Sequence, residues 1–447
     1  MKKQFSAMAL LMMISLQTQS ATNITDGALK EIGGKLPDIP VVDKTINEIE
    51  QTIPQMPPEI IKQINQNLTK LDNSVINSID PLAESDARLE IKGPLGETLI
   101  IEETVEGDWR AVEREWIVIA SEGDIALLEK LKLNILSFDE LKGVGMTVVR
   151  FKTPAGYTKD NLIEELPERL SSQLGRNHIY KASGKEATSK LSSAVIKIKK
   201  SACADVLNIG IIDTAVNESH QAFVDVTIRQ ENFMDEKFKV PNNHGTAVAG
   251  LLVGKDALTP LLPGGNLYAA SVFYARNKYS QGATLMHLLE AINWLVEKRV
   301  PIINMSLTGP PNPILEQAIK GAHKSNTIIV AAAGNEGPAA SPRYPAAYED
   351  VIAVTAVDHQ RNIYRWANQG DYIDFAALGV GINTARNEND YGSESGTSMA
   401  SPIVAAHLAC QFLQTKNKAE AIKRLENQAI DLGQKGKDNV FGYGYIE

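Results

Sequence analysis

The chain of 447 residues holds only two cysteines, Cys203 and Cys410. That excludes a framework of several disulfides and a cysteine-rich zinc module. At most one bridge can form within the chain, and the sequence leaves open whether the two thiols pair. Histidine is scarce as well. None of the seven begins a His-Glu-x-x-His pattern, which excludes a zinc protease of that type. No glycine loop of the phosphate-cradling kind is present. Gly392-Ser393-Glu394-Ser395-Gly396 has the outline of a hydrolase elbow, but Glu394 stands where a nucleophile belongs. No apolar run approaches the roughly 20 residues that cross a bilayer. Positive charge is in deficit, 45 Lys and Arg against 54 Asp and Glu, and a formal charge of −9 argues against nucleic acid as a partner.

What is present divides the chain into parts. Lys2 and Lys3 precede an apolar stretch from Phe5 to Leu16, and Ser20-Ala21 offers small residues for cleavage, although Gln19 fits the small-x-small rule poorly. Residues 1–21 therefore read as a signal peptide. No cysteine follows to carry a lipid, so the expectation is an exported protein, periplasmic or secreted, without a membrane anchor. Residues 22–58 are polar and broken by Pro37, Pro40, Pro54, Pro57 and Pro58. Ile60, Ile64, Leu68, Leu71, Val75 and Ile79 then recur at helical spacing on one face. Residues 22–111 are thus expected to be a polar linker with one amphipathic helix, of unknown role.

Residues 112–183 change rhythm. Strand-like runs at Trp116–Ala120, Ile135–Leu141, Met146–Lys152 and His178–Lys181 alternate with helical patterns at Asp124–Leu131 and Lys159–Ser172, the second interrupted at Pro167. The order β-α-β-β-α-β predicts a ferredoxin-like α+β unit. From residue 184 onward, apolar strands at Val206–Ile212, Asn266–Val272, Val300–Met305, Thr327–Ala332 and Val351–Val354 alternate with helices such as Thr284–Lys298 and Pro313–His323. That pattern predicts an α/β domain, a parallel sheet sandwiched by helices.

The chemistry lies in this second part. Ile209-Gly210-Ile211-Ile212-Asp213 is an apolar strand ending in an acid, at the end where open α/β sheets hold their ligands. Thirty-one positions later, His244 opens a run of small residues, Gly245-Thr246-Ala247-Val248-Ala249-Gly250. Ser395-Gly396-Thr397-Ser398-Met399-Ala400-Ser401-Pro402 leads into a helix and sets Ser398 near its N-terminus, where backbone N–H groups favour negative charge. Each alone has a plain structural reading: a strand-end acid, a core histidine, a helix cap. Together they supply a hydroxyl, a base to take its proton and a carboxylate to orient the base, in the chain order Asp…His…Ser. Ala333-Gly334-Asn335 adds an amide that follows a buried strand and could face a developing oxyanion.

On those motifs the segment from about Asp205 to Glu447 resembles the subtilase family of serine peptidases. The resemblance implies a subtilisin-like fold, a triad of Asp213, His244 and Ser398, and Asn335 as oxyanion donor. Asn304-Met305-Ser306-Leu307-Thr308-Gly309 is similar to the strand that binds substrate backbone in the family, which makes Ser306, Leu307, Thr308 and Gly309 one wall of the substrate site and Ala333 and Gly334 the other. Tyr344-Pro345 resembles a position with a cis peptide. Asn177-His178-Ile179-Tyr180 resembles the end of an inhibitory pro-domain, so residues 112–183 are expected to inhibit the peptidase in cis, with self-cleavage between about Lys181 and Lys190. Polypeptides are the expected substrates and no cofactor is expected to be required. Thr308 replaces a glycine and is expected to narrow the site. The Gly254–Gly265 loop lacks the asparagine-rich pattern of the family's strong calcium site, so no tight calcium site is expected there; weak calcium binding elsewhere stays open, without support from the sequence. The alternative reading is a non-catalytic subtilase-like binding protein held shut by its pro-region.

Overall fold

The computed structural model describes residues 88–131, 133–182, 196–198, 200–277 and 280–447. The chain divides into two units, Met1–Ser85 and Asp86–Glu447, and all described residues belong to the second. The expected signal peptide, the amphipathic helix over residues 60–79 and the processing window beyond Ala182 lie outside the described residues.

The first elements depart from expectation. Residues 88–104, read from sequence as linker, form a hairpin of β1 (Arg88–Lys92) and β2 (Thr98–Thr104), and β2 pairs antiparallel with β3 (Arg110–Ile119). The alternation in Arg-Leu-Glu-Ile-Lys is that of a half-buried strand, yet five residues rich in charge give little signal on their own. After β3 come α1 (Ile125–Lys130), β4 (Asn134–Leu141), β5 (Met146–Lys152), α2 (Lys159–Glu165), α3 (Glu168–Ser171) and β6 (Leu174–Ala182). Thr158 caps α2 by accepting from Asn161 N. Pro167, with no N–H to give, separates α2 from α3 where the sequence suggested. The strands lie in the order β4-β5-β3-β6, all antiparallel. Trp116 and Val118 face the small helices; Ile117 faces the other way and joins the apolar core of the larger domain.

The second part alternates strands and helices as expected. It begins with β7 (Leu207–Asp213), β8 (Ile228–Asn232), α4 (Asn243–Val253) and β9 (Gly265–Ser271). A short ribbon comes next, β10 (Tyr274–Ala275) and β11 (Gln281–Thr284), then α5 (Leu285–Glu297), β12 (Ile302–Met305), β13 (Leu307–Thr308) and α6 (Pro313–Lys324). The chain continues through β14 (Ile328–Ala332), β15 (Val351–Val357), β16 (Phe375–Leu378), the β17 (Ile382–Arg386) and β18 (Asp390–Glu394) hairpin, α7 (Thr397–Thr415), α8 (Lys418–Gln428) and β19 (Tyr445–Ile446). Eight strands make one parallel sheet, ordered β19-β16-β15-β14-β12-β7-β9-β8. Successive side chains alternate between its faces. Ile209, Ile211, Val330 and Val354 bury toward α4 and α7, while Ile212, Ile303, Ile329 and Ala353 bury toward α5 and α6. Cys203 and Cys410 are disulfide-bonded, joining the entry to β7 with α7.

The antiparallel sheet rests on α5 and α6 through Ile117, Leu141, Val144, Val148 and Tyr180, in one continuous core. Polar groups stitch the seam. Gly143 N donates to Asn293 Oδ1 (2.7 Å), and Asn177 Oδ1 accepts from Met286 N at the start of α5 (3.2 Å). His178 Nδ1 lies 2.9 Å from Asn312 Nδ2, whose amide can only donate, so the imidazole accepts and must be neutral there. Burial, with Arg176 nearby, pushes His178 down to about 4, and burial with Arg150 pushes His287 down to about 4. Glu290 moves the other way, up to about 7, from burial and the neighbouring Asp139. His287 and Glu290 line a cavity of about 280 Å³ at the seam, with Glu115, Asp139 and Arg150.

These shifts predict a pH profile. Below about 6.5 an exposed imidazole takes up protons that the buried one refuses, so the histidine contribution is intact above that pH and is lost as pH falls toward 4. Glu290 contributes most at low pH, and its contribution is lost as pH rises from 4.5 through 7. In thermal unfolding of the intact chain between pH 4 and 8, His178→Gln should flatten the acid limb and Glu290→Gln the fall toward neutrality.

Candidate active site

Three neighbouring parallel strands end side by side. Met305 of β12 pairs with Ile212 of β7 and with Ala331 of β14, so the residues just beyond, Asp213, Ser306 and Ala333–Asn335, crowd one edge of the sheet. Five of the sequence-predicted positions are thereby brought together, and the remaining ones reach this edge from helix ends and a strand.

Asp213 is fully buried. A carboxylate in that position needs its hydrogen bonds from the protein. Thr214 N donates to Oδ1 (2.6 Å), and His244 Nδ1 lies 2.7 Å from Oδ1 and 2.9 Å from Oδ2. An ionised carboxylate only accepts, so Nδ1 carries a proton, and in the neutral imidazole the lone pair lies on Nε2. His244 sits in the first turn of α4. That turn approaches the end of β7 very closely: a Cβ on Gly245 would lie 2.1 Å from Thr214 O, so only glycine fits. Gly245 N in turn donates to Thr214 Oγ1 at 2.7 Å.

Ser398 occupies the first turn of α7 after Gly396, is fully buried, and its Oγ has no hydrogen-bond partner among the described residues. Its backbone is fixed by a device that the motifs alone do not reveal. In a regular helix Ser398 O would accept from the N–H four residues on, but that residue is Pro402, which has none. Ser306 Oγ donates to the carbonyl instead (3.0 Å). Asn304 Nδ2 donates to Ser306 Oγ (2.9 Å), and Ser401 Oγ donates to Asn304 Oδ1 (2.6 Å), closing a buried chain from β12 to α7. The signal available in the sequence was Asn304 itself, a polar residue inside an apolar strand.

Asn335 stands opposite the same helix end. Its Oδ1 accepts from Thr397 N (3.0 Å) and Thr397 Oγ1 (3.3 Å). With its oxygen held on Thr397, the Nδ2 side of the amide is directed elsewhere. Gly334, at φ +115, makes the turn that leads there, and its N donates to Thr397 Oγ1. Ala333 is buried and accepts from Tyr372 Oη (3.3 Å), a contact no motif announced.

The residues expected to wall the substrate site already carry a strand. β6 runs between two edges: Thr308 pairs with Lys181 and Leu307 with Ala182 on one side, and Ala283 pairs with Tyr180 and Thr284 with Ile179 on the other. The second edge, Gln-Gly-Ala-Thr of β11, is too short and too plain to read from sequence. Tyr180 is fully buried on Gly309, where an added Cβ would lie 2.3 Å from its ring, and its Oη donates to Pro310 O (3.2 Å). Tyr344-Pro345 is cis, and Gly309 bridges to Tyr344.

The family model described as "Subtilase family" matches residues 205–444. Subtilisin DY of Bacillus licheniformis is 35% identical over 238 residues, 51% of this chain and 85% of that protein. Minor extracellular protease Epr of Bacillus subtilis is 34% identical over 218 residues, 47% of this chain, and the match spans only 33% of Epr. Among solved structures, fervidolysin of Fervidobacterium pennivorans aligns with TM-score 0.61 at 19% identity, over 81% of this chain and 63% of that one. The epidermin leader peptide processing serine protease of Staphylococcus aureus aligns with TM-score 0.59 at 19% identity, over 74% and 97%. At such identities the structural likeness speaks for the fold. No helix among the described residues is long and apolar enough to cross a membrane.

The Ser401–Asn304–Ser306 chain predicts a stability effect. Asn304→Ala leaves the buried Ser401 hydroxyl without its acceptor and takes from Ser306 the donor that orients it, and should destabilise the domain by about 1–3 kcal/mol. Urea unfolding monitored by the larger domain's tryptophan signal would read this as a lower midpoint with an unchanged slope.

Proposed function

The chain belongs to the subtilase family, and on that premise we propose that it is an exported serine endopeptidase made as a zymogen, shut by its own N-terminal segment and opened by self-cleavage. The observation that carries the reading is the buried, doubly hydrogen-bonded Asp213–His244 pair at the sheet edge where Ser306 holds the Ser398 backbone.

In the proposed reaction Ser398 Oγ attacks the peptide carbonyl. His244 Nε2 takes the hydroxyl proton and later hands it to the leaving amine. Asp213 holds the imidazole in the tautomer that leaves Nε2 basic. Oxyanion charge would be met by Asn335 Nδ2 and the Ser398 N–H. Water then hydrolyses the acyl-enzyme by the same proton relay. The reaction so written needs no cofactor.

The zymogen reading is supported by β6. It lies in the substrate walls as an extended polypeptide substrate would, hydrogen-bonded on both sides. Counting on from the Leu307–Ala182 pair, the bond we assign for cleavage is Ser183–Gly184. Export rests on residues 1–21 alone, because the relatives include both the extracellular protease Epr and a major intracellular serine protease of Bacillus subtilis.

Intact mass and N-terminal sequencing test the proposal. Wild type should shorten to a start at Gly184, and Ser398→Ala should keep residue 184 joined to the chain before it. Wild type that stays joined under all conditions would overturn self-processing. In the matured enzyme Asn335→Ala should lower kcat by about 10²–10³ with little change in KM, as expected for a lost oxyanion donor.

A further inference from the structure

The hairpin β1–β2 takes no part in the substrate walls, yet it carries the most completely buried charge cluster of the N-terminal segment. Glu102 is 0% exposed. One of its carboxylate oxygens accepts from Tyr274 Oη (2.9 Å); the other is 3.2 Å from Arg110 Nε and 3.0 Å from Arg276 Nη2. Glu102 and Arg110 belong to the N-terminal segment, Tyr274 and Arg276 to the peptidase part. The Arg276 side chain is itself 0% exposed. Burial raises the Tyr274 phenol well above its usual range, so its hydroxyl keeps the proton it donates. Around this pair Ile91, Leu89 and Ile100 pack on Met234, Phe238 and Tyr274. Beyond the hairpin, at the turn into β3, the Trp109 ring lies under the Arg343 guanidinium at 4.8 Å.

We propose that Tyr274 and Arg276, with the apolar surface of Met234 and Phe238, form a carboxylate-accepting site outside the substrate cleft, filled by Glu102 on the hairpin, and that this second anchor keeps the N-terminal segment bound after its bond to the peptidase has been cut. The inference rests on the zymogen reading above. Its logic is one of linkage in a single body. Self-cleavage frees β6 from the downstream chain but breaks none of its strand pairs, and the hairpin is joined to β6 through β3, with Glu102 paired to Val112 and Ala111 to His178. A segment held at two places rebinds at one whenever it lets go at the other, because the tethered site sees a high effective concentration. Replacing the carboxylate would remove the charge that Arg110 and Arg276 share in this buried site, the costly way to break a buried ion pair. The ribbon β10–β11 that bears Tyr274 also pairs with β6, so the anchor grips the wall that the cleft strand occupies.

Two measurements on the full chain decide this. In the uncut Ser398→Ala protein, hydrogen exchange should show Ile100–Thr104 and Tyr274–Arg276 amides protected, and adding Glu102→Gln should lower that protection at least tenfold while β6 amides keep theirs. In the active protein, Glu102→Gln should cut the bond at the wild-type rate by intact mass but shorten the interval between cutting and activity on a chromogenic peptide by tenfold or more. Ile91→Ala, which loosens the hairpin and leaves the charges in place, should move both readouts the same way and serves if Glu102→Gln does not fold. Unchanged exchange, or loosened exchange with an unchanged interval, overturns the second anchor. If wild type never cuts itself, the self-processing reading fails while the exchange comparison still decides the site.

Discussion

A carboxylate with no access to water must be surrounded by donors, and Asp213 dictates much of what lies around it. Its place is set by the register of β7 in a sheet whose faces alternate residue by residue, so the chain must bring a donor to the strand's C-terminal end. That donor is His244, and the helix carrying it has to approach so closely that Gly245 cannot bear a side chain. The run of small residues after His244 serves the same approach, since α4 lies almost wholly buried between β7, β9 and the β17–β18 hairpin. The imidazole tautomer is a consequence of the carboxylate's inability to donate. One buried charge thus fixes a strand register, a helix approach and a proton's location.

The helix that carries Ser398 answers a comparable constraint. Pro402 removes a backbone donor just where α7 begins, and the freed Ser398 carbonyl would be an unsatisfied buried acceptor, which costs about 1–3 kcal/mol, were Ser306 not there. Ser306 is in turn held by Asn304, and Asn304 by Ser401 from the helix itself. The chain of donors runs one way, each hydroxyl or amide spending its proton on the next, so no member can rotate without stranding its neighbour. The backbone N–H groups around Ser398 are thereby held in place before any substrate arrives, which is the condition under which fixed dipoles stabilise developing charge most effectively.

Much of this was legible in the sequence because the chemistry sits where patterns are strongest. The apolar strands of the parallel sheet are long and continuous, and Asp213, His244, Asn335 and Ser398 each stand at an element boundary that glycine and small residues mark. The Asp-to-His pairing could be inferred because only one histidine opens a helix of small residues at the right place. What escaped notice depends on contacts between distant segments. The hairpin β1–β2 is short and charged, and its strand character comes from pairing with β3 and from burying Ile91 on Met234 and Tyr274, more than 140 residues away. The Cys203–Cys410 bridge spans 207 positions, and the sequence offered a single possible pair without showing that the two approach. The edge strand β11 has four unremarkable residues and becomes a wall only because β6 lies beside it.

The same contrast bears on how the N-terminal segment and the peptidase recognise each other. Strand pairing in the cleft uses backbone groups that every polypeptide carries, so it tells the enzyme little about whose chain is bound. Side chains at the seam carry that information. Tyr180 fills the space over Gly309, Asn177 meets the start of α5, and Asn312 accepts only a neutral His178 as its partner. Because those groups are buried, an imperfect match leaves a donor or a charge without a partner, and the discrimination against a foreign strand exceeds the net gain from the correct one. Under the proposed zymogen reading, the cleft therefore gains selectivity for its own N-terminal segment chiefly from Asn177 and His178, whose partners Met286 and Asn312 lie outside the expected substrate walls.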